Sequence, residues 1–330
     1  MNAATPRRAI VCFGEALVDL LARPPPTAGA PRQFVEYAGG APANVAVAVA
    51  RLGGDARFVG MLGADMFGDM LAAQLHDAGV DIRHVRCTAA AKTALAFVSL
   101  DARGERSFSF YRPPAADLLF AEDDFAPGAF DDAAVFHVCS NSLTEAGIAA
   151  ATLAGMRRAR AAGAVLSVDL NLRTSLWSDA VDPLPRLWPM LDEADLVKLC
   201  RSELDFLART DSADAVLRRL LQARAQCVLV TEGAAPIRWH TRTRQGVAPT
   251  FAVEAIDTTA AGDAFVGAWL LALVEQGLDA GSVATFFAGA ALAEPLRLAA
   301  AAGALATTRH GAFAAMPTRT AVEQLLGDGP

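Results

Sequence analysis

A nine-residue stretch near the C-terminus combines tiny side chains with a carboxylate at the start of an apolar helix. Residues 257–265 read Asp-Thr-Thr-Ala-Ala-Gly-Asp-Ala-Phe. Ala260, Ala261 and Gly262 have little or no side chain, so their backbone N–H groups can close around an anion at the positive end of the helix dipole. A carboxylate beside a phosphate makes sense if it faces a hydroxyl that loses its proton during phosphoryl transfer. The stretch therefore indicates a kinase with Asp263 as general base, although an ordinary helix cap has the same short pattern.

A second small-residue motif lies in the N-terminal part of the chain. Residues 39–46 read Gly-Gly-Ala-Pro-Ala-Asn-Val-Ala. Gly39 and Gly40 let the backbone approach a ligand closely, and Pro42 suits the first turn of a helix. Asn44 would then point its side-chain amide back toward that ligand. The alternative is a glycine turn into a helix that packs through its small residues.

Short β-branched segments alternate with long alanine-rich segments, a pattern typical of β-α units around a mostly parallel sheet. The predicted core strands are residues 9–13, 56–59, 134–138, 165–169, 196–199 and 227–231. The predicted helices are residues 42–52, 66–78, 145–162, 213–223, 261–276 and 280–306, the last broken at Pro295. Polar residues end or follow two of these strands, Asp169 with Asn171 and Thr231 with Glu232. Because open α/β sheets bind ligands at the carboxyl ends of their strands, we expect a site there.

One β-rich segment interrupts this alternation. Residues 92–100 and 107–111 favour strands, and the turn-forming sequence Asp-Ala-Arg-Gly at 101–104 joins them. A hairpin inserted between α/β units often projects as a lid, and the Pro-rich segment 23–35 is its predicted partner.

These patterns predict a single domain over residues 1–330, with a lid formed by about 20–36 and 92–116. The exposed edge strands of such a lid invite pairing with another chain. We therefore expect a homodimer joined lid to lid.

Composition excludes several classes of protein. The net charge of the 330 residues is −7, whereas nucleic-acid binding needs a basic face. The longest stretches without a charge span 14 residues, too few to cross a bilayer as a helix, and Glu15 interrupts the first apolar run too early for a signal peptide. The five cysteines are scattered, which suits reduced thiols better than disulfides or a zinc site. We expect a cytoplasmic protein that acts on small molecules, without nucleic-acid or membrane partners.

Together, the two motifs resemble the N-terminal and C-terminal signatures of the PfkB, or ribokinase-like, family of carbohydrate kinases. Residues 39–63 resemble the first signature and residues 257–268 the second. The segments 14–19, 93–98 and 107–117 are similar to those of bacterial fructokinases, and the resemblance covers residues 10–326. It implies an α/β, ribokinase-like three-layer fold with a small β-sheet lid. It also implies ATP-dependent phosphorylation of a primary hydroxyl of a small sugar, with fructose favoured.

The resemblance further implies roles for individual residues. The sugar would be bound by Asp19, Gly39, Gly40 and Asn44, with Phe97 and Arg112 contributed by the lid. The nucleotide and its phosphates would be bound by Asn171, Arg173, Lys198, Thr231 and Gly233. Asp263 would be the base, and the backbone of Ala260, Ala261 and Gly262 the anion hole. Glu203 matches the acidic residue that organises Mg²⁺ through water, and Asp257 and Thr259 fit a site for a monovalent cation such as K⁺.

The chain departs from the family at positions near the expected phosphate site. Ala260 stands where fructokinases usually carry Gly, and an alanine forced to positive φ costs about 1 kcal/mol or somewhat more. Cys200 replaces the Ser or Asn usual three residues before Glu203, which weakens a donor near the phosphates. These departures bear on ATP affinity and turnover rather than on the reaction class.

Other classes of function remain to be weighed against a sugar kinase. A nicotinamide oxidoreductase is excluded because it needs G-x-G-x-x-G after the first strand, and Glu15 stands at one of those glycine positions. A P-loop kinase is excluded because it needs a glycine before its lysine, and neither Lys92 nor Lys198 follows a glycine. A sugar-binding regulator with a decayed active site stays open. So do other substrates: 2-keto-3-deoxygluconate, whose carboxylate Arg112 could pair with, aminoimidazole riboside and ribose.

Overall fold

The computed structural model describes residues 8–23, 27, 29–100, 106–178, 180–289 and 291–328. Its strands are β1 (Ala9–Phe13), β2 (Leu17–Arg23), β3 (Gln33–Gly39), β4 (Ala56–Gly63), β5 (Val85–Thr88), β6 (Leu95–Leu100), β7 (Arg106–Tyr111), β8 (Ala133–Cys139), β9 (Val165–Asp169), β10 (Leu196–Cys200), β11 (Cys227–Glu232), β12 (Ala235–Thr241) and β13 (Gln245–Ala248). Its helices are α1 (Ala41–Arg51), α2 (Met66–Asp77), α3 (Ala146–Ala161), α4 (Leu184–Glu193), α5 (Arg201–Leu207), α6 (Ala213–Gln222), α7 (Ala261–Glu275), α8 (Val283–Gly289), α9 (Ala293–Ala306) and α10 (Arg319–Asp328).

A nine-stranded sheet with the order β13-β12-β11-β10-β9-β8-β1-β4-β5 forms the centre of the molecule. Its strands run parallel except β12 and β13, which form an antiparallel edge. The inner strands are buried along their whole length, as in β1, β8 and β9, which explains their continuous apolar sequences. The predicted α/β fold class is confirmed.

Helices cover both faces of this sheet and bury two separate apolar clusters. One cluster joins α1, α7 and α9 to one face, and the other joins α3, α4 and α6 to the opposite face. Helix α7 is apolar on all sides and buried from Asp263 to Leu273, which is expected of a helix enclosed by other elements. That burial fixes the helix whose first turn carries the proposed base.

The predicted break at Pro295 in the C-terminal helical region was wrong by a few residues. Helix α8 ends at Gly289 and α9 begins at Ala293, so Pro295 lies in the first turn of α9. Proline is tolerated in a first turn because its missing N–H has no partner there anyway. No single helix in the described ranges is long and apolar enough to cross a membrane, and only the bent pair α8 and α9 reaches that length when joined.

A second sheet of four strands, with the order β3-β2-β6-β7, contains the predicted hairpin. Strands β6 and β7 pair antiparallel, and β6 pairs parallel with β2 through Val18 and Leu95. The predicted partner, residues 23–35, was wrong in its bounds, because it mostly connects the two strands that do the pairing, β2 and β3. The predicted turn at 101–104 lies outside the described residues.

Candidate functional site

A cavity of about 470 Å³ lies at the carboxyl ends of β9, β10 and β11, between the first turn of α7 and the second sheet. Most of the predicted site residues line it, namely Asp19, Gly40, Asn44, Asn171, Arg173, Lys198, Glu203, Thr231, Thr259, Ala260, Gly262 and Asp263. The remaining predicted residues, Gly39, Phe97, Arg112, Gly233, Asp257 and Ala261, are not in its lining. Segments that are far apart in the sequence thus meet where the sheet rule places a ligand.

The turn before α7 is built for an anion. Ala260 has φ 58° and ψ 10°, a left-handed conformation that costs an alanine roughly 1–2 kcal/mol. A Cβ at Gly262 would lie 3.0 Å from Nζ of Lys198, so the glycine leaves room for that ammonium group. The first N–H groups of a helix have no partner within it, and Ala260, Gly262 and Asp263 all line the cavity. The turn can therefore present N–H groups and the positive helix end to a phosphate.

Asp263 lies in the first turn of α7 and is 6% exposed. Its Oδ2 accepts a hydrogen bond from Nδ2 of Asn44 at 2.7 Å. Its Oδ1 accepts one from Nδ2 of Asn171 at 3.3 Å. The carboxyl group is therefore held from both sides.

Burial raises the pKa of Asp263, and the negative charge of Asp169 raises it further. The hydrogen bond from Asn44 and the charges of Lys198 and Arg173 act in the opposite direction. Together they bring the pKa of Asp263 to about 7. A general base works best with a pKa near the operating pH, because it is then ionised yet still basic enough to take a proton.

The glycine motif positions the side of the cavity lined by α1. Gly40 precedes α1 with φ 106°, and a Cβ there would lie 2.5 Å from the backbone oxygen of Glu15. A Cβ at Gly39 would lie 2.5 Å from Oδ2 of Asp19. Neither position has room for a Cβ atom, so both require glycine. Gly39 lies behind the residues that line the cavity. Asn44, one turn into α1, is buried and faces Asp263.

Glu203 on α5 is held by two backbone groups. Its Oε1 accepts from the N–H of Leu172 at 2.8 Å, and its Oε2 accepts from the N–H of Cys200 at 2.7 Å. The Sγ of Cys200 contacts the hydroxyl of Ser202 at 3.1 Å. The substitution at Cys200 therefore leaves the main-chain contact to Glu203 in place.

Lys198 on β10 forms a buried ion pair with Asp169 on β9. Its Nζ lies 3.1 and 3.0 Å from the two carboxylate oxygens. Burial lowers the pKa of Lys198, but the negative charges of Asp169, Glu203 and Asp263 outweigh it and keep the pKa above its ordinary value. The ammonium group is thus a fixed positive charge beside the turn of α7.

Thr231, the penultimate residue of β11, lines the cavity, and its hydroxyl lies 3.5 Å from the backbone oxygen of Leu199. Gly233 forms the turn between β11 and β12 with φ 54°, outside the lining. Asp257 is buried behind the turn of α7, where its Oδ1 accepts from the N–H of Thr259 at 2.8 Å and its Oδ2 from the N–H of Gly311 at 3.2 Å. Asp257 therefore shapes the turn from outside the cavity.

Arg112, which the sequence predicts to bind the sugar, lies outside the cavity lining with its guanidinium turned into the protein. Arg112 is 1% exposed, and its Nε and Nη2 donate to Oδ2 of Asp117 at 2.9 and 2.6 Å. Its Nη1 donates to the backbone oxygen of Asn141 at 2.8 Å. All three nitrogens of the guanidinium are therefore engaged inside the protein. Two of them bind the buried carboxylate of Asp117, and the third binds a backbone oxygen.

Phe97, which the sequence also predicts to contact the sugar, does not line the cavity. Asp19 and Phe110 line the cavity, and both pair with Ala96 across the second sheet. Ala96 therefore lies on the face of the sheet that meets the cavity. Side chains alternate between the faces of a strand, so Phe97 lies on the opposite face. There its ring contacts Phe34 and Tyr111, with centroids 5.3 and 5.0 Å away.

Glu15, Leu17 and Phe110 are among the lining residues to which the sequence assigned no role. Glu15 is 2% exposed, and its Oε1 accepts from Nδ2 of Asn141 at 3.0 Å. Burial raises the pKa of Glu15, and the charge of Arg112 opposes that rise. The alternation within β7 could have indicated Phe110, had its pairing with β6 been known.

Comparison with known proteins gives a consistent result. Residues 7–319 match the pfkB family carbohydrate kinases. Fructokinase-1 of Zea mays is 46% identical over 278 residues, which cover 82% of this chain and 85% of that protein. The crystal structure of a Xylella fastidiosa fructokinase with bound ATP has a TM-score of 0.93 and 54% identity, over 98% of this chain and 99% of its own. A Vibrio cholerae O395 fructokinase structure with fructose, ADP and a calcium ion has a TM-score of 0.84 and 34% identity, over 97% and 99% of the two chains.

Proposed function

The chain belongs to the pfkB family of carbohydrate kinases, and we propose that it transfers the γ-phosphate of ATP to a primary hydroxyl of fructose, with Asp263 as the general base. The observation that carries the proposal is the position of this carboxyl. It is buried at the start of α7, has a pKa of about 7, and is bonded to one amide from α1 and one from the end of β9. We place the sugar at the end of the cavity lined by Asp19, Gly40 and Asn44, called the sugar end below, and the nucleotide at the end lined by Lys198, Glu203 and Thr231.

The reaction needs a hydroxyl proton to leave as a bond to phosphorus forms. In the proposed step the sugar hydroxyl gives its proton to Asp263 while its oxygen bonds to the γ-phosphorus, and the bond from that phosphorus to the ADP oxygen breaks. The N–H groups of the turn at Ala260 and Gly262, together with the ammonium of Lys198, stabilise the negative charge on the transferred group. The buried pair of Lys198 with Asp169 keeps that ammonium in position.

A divalent metal ion that accompanies the nucleotide fits the residues present. Each carboxylate oxygen of Glu203 accepts one backbone N–H, which leaves lone pairs for water molecules around a hydrated ion. Within the described ranges, no group of three or more His, Cys, Asp or Glu side chains is arranged to hold a metal ion by itself. We therefore propose Mg²⁺ held through water near Glu203 and by the phosphates, whose charge it would neutralise. A monovalent cation such as K⁺ near Asp257 and Thr259 remains a proposal from sequence.

The charges at the sugar end favour a neutral sugar. Glu15 and Asp19 line this part of the cavity, and Arg112 is sealed against Asp117. A substrate carboxylate would therefore meet acidic side chains there, and the guanidinium of Arg112, which could have paired with the carboxylate of 2-keto-3-deoxygluconate, is already engaged with Asp117. Together with the similarity to fructokinases, this supports fructose as the substrate.

A substrate panel tests the proposal. Phosphorylation of fructose, ribose, aminoimidazole riboside and 2-keto-3-deoxygluconate is measured with ATP and Mg²⁺, with Asp263→Asn as the matched inactive control. We expect fructose to give the highest kcat/KM and the variant to lose about 10²–10⁴-fold in kcat. A higher kcat/KM for 2-keto-3-deoxygluconate would overturn the substrate, and a variant with more than about a tenth of normal kcat would overturn the base.

We also propose that the second sheet acts as a lid and pairs with the same sheet of a second copy. Its outer face carries a cluster of aromatic rings, Phe34, Phe97 and Tyr111, of which Phe34 is 38% and Tyr111 67% exposed. An exposed aromatic cluster on a small sheet is a typical protein interface. Sedimentation of the normal protein and of Tyr111→Asp tests this, and we expect a dimer that the substitution dissociates. A fully active monomer at micromolar concentration would refute it.

A further inference from the structure

Both oxygens of the proposed base accept a hydrogen bond from a side-chain amide. Asn44 reaches Oδ2 from the sugar side of the cavity, at 2.7 Å. Asn171 reaches Oδ1 from the end of β9, at 3.3 Å. Asn171 is 7% exposed, so its amide is a buried donor that points at the carboxyl group rather than into solvent.

The backbone of Asn171 is held in an unfavourable conformation to make this contact. Its φ is 40°, in the left-handed region that non-glycine residues seldom adopt, although Asn tolerates it better than most. The residues on either side are fixed: the N–H of Leu170 donates to the backbone oxygen of Lys198 at 3.1 Å, and the N–H of Leu172 donates to Glu203 at 2.8 Å. Strain of this kind persists only where the surroundings impose it, and it is common at functional sites.

We propose that Asn171 is a positioning residue for Asp263, holding Oδ1 so that Oδ2 receives the proton of the sugar hydroxyl. The proposal rests on the proposed role of Asp263 as base. Oδ2 is the oxygen on the side of Asn44, where Asp19 and Gly40 also line the cavity. A hydroxyl arriving there can share Oδ2 with the amide of Asn44, because a carboxylate oxygen accepts two hydrogen bonds.

Loss of the Asn171 amide would leave the carboxyl group of Asp263 held on one side only, by Asn44 at Oδ2, and would remove a donor that favours its ionised form. The titratable or charged groups that face Asp263 from the surrounding elements are Asp169 of β9, Lys198 of β10, Arg173 beyond β9 and the thiol of Cys139 at the end of β8. In the described hydrogen bonds, none of these four groups donates to Oδ1 of Asp263, so none replaces the amide of Asn171.

The test compares Asn171→Gly with Asn171→Asp. Glycine keeps the left-handed backbone and removes only the side chain, whereas Asp keeps the shape and replaces the donor by a second carboxylate. Asp132 is the matched control, because it is exposed, lies outside the cavity and has φ 56°, so Asp132→Gly makes the same backbone change elsewhere. Melting temperature, kcat, both KM values and the pH profile of kcat are measured for all three variants.

We expect Asn171→Gly to lower kcat by about 10–100-fold while both KM values change by less than about threefold. The acid limb of its kcat profile should move to higher pH, because the base loses a donor to its ionised form, and Asn171→Asp should move it further. Asp132→Gly should leave kcat and the profile unchanged. A rise of about tenfold or more in the KM for ATP with an unmoved acid limb would assign Asn171 to the phosphates, and a kcat within about threefold of normal would equally overturn the proposal.

The failure of this inference is distinguishable from failure of the proposed function. If Asp263→Asn is inactive while Asn171→Gly behaves normally, only the positioning role is wrong. If Asp263→Asn itself keeps normal kcat, the base is wrong and the positioning role fails with it.

Discussion

The raised pKa of Asp263 predicts that removing its charge stabilises the folded protein at neutral and alkaline pH. The folded state keeps the proton up to a pKa of about 7, whereas the unfolded chain releases it near the ordinary value of 3.8. The stability associated with this protonated carboxyl is therefore full below pH 3.8, falls as the pH rises, and is lost above about pH 7. This difference corresponds to roughly 4 kcal/mol at the alkaline end, as an upper limit.

Asp263→Asn replaces the carboxyl by a neutral amide that does not titrate. The amide group of Asn44 can rotate to meet it, because its Oδ1 has no hydrogen-bond partner among the described residues. We expect the free energy of unfolding of the variant, relative to the normal protein, to rise by about 3 kcal/mol between pH 5 and pH 8.5. The variant thus gains stability as it loses activity.

The assay is chemical denaturation of both proteins at several pH values across this range. Asp81→Asn is the control of opposite sign, because its hydrogen bonds and ion pair with Arg83 lower the pKa of Asp81 to about 2. Its stabilising contribution is complete above the ordinary pKa of 3.8, so its effect should be destabilising and flat from pH 5 to 8.5. A difference for Asp263→Asn that is also flat, or that shrinks with pH, would refute the account of a buried carboxyl with a pKa near 7.

Three further substitutions test other parts of the site. Ala260→Gly should raise the free energy of unfolding by up to about 1 kcal/mol, because relief of roughly 1–2 kcal/mol of left-handed strain exceeds the entropy cost of glycine. Ala261→Gly, at the first residue of α7, relieves no such strain and should lower the free energy of unfolding. Thermal melting checks both substitutions. Arg112→Met should destabilise the protein by about 3–5 kcal/mol, because it leaves Asp117 buried without a partner, and unchanged stability in denaturant would show that the guanidinium is not sealed. Asp19→Ala should raise the KM for sugar about tenfold or more with little change for ATP, and an unchanged sugar KM would remove Asp19 from the site.

Local sequence was sufficient to predict the turn that carries Asp263 and the residues that line the cavity around it. The small residues around Gly262 and the glycines before α1 indicated the two turns, and the polar residues after β9 and β11 indicated the correct edge of the sheet. These features depend on short-range chemistry: tiny side chains where backbone must approach a ligand, and polar side chains where parallel strands end. The positive φ whose cost for an alanine the sequence analysis considered at position 260 is present in the structure.

Local sequence could not place the residues whose environment depends on distant pairing. Phe97 and Phe110 are both aromatic residues of the same hairpin, and only the register of β6 against β2 decides which of them meets the cavity. A shift of one residue would exchange the two faces. Arg112 follows the same hairpin, and its burial against Asp117 depends on how the chain packs after leaving the second sheet. Periodicity alone contains neither piece of information.

The site concentrates several unfavourable features around one carboxyl group. Of the three described non-glycine residues with positive φ, Ala260 and Asn171 line the cavity that contains Asp263, and only Asp132 lies elsewhere. Asp263 itself is buried beside another carboxylate, Asp169, which disfavours its ionised form. A sequence selected for stability alone would place glycine at the strained positions and an uncharged side chain in place of the base. The stabilising choices differ from those present, and Asp263 and Asn171 also form a hydrogen bond. The arrangement therefore fits the proposed proton transfer better than a purely structural role.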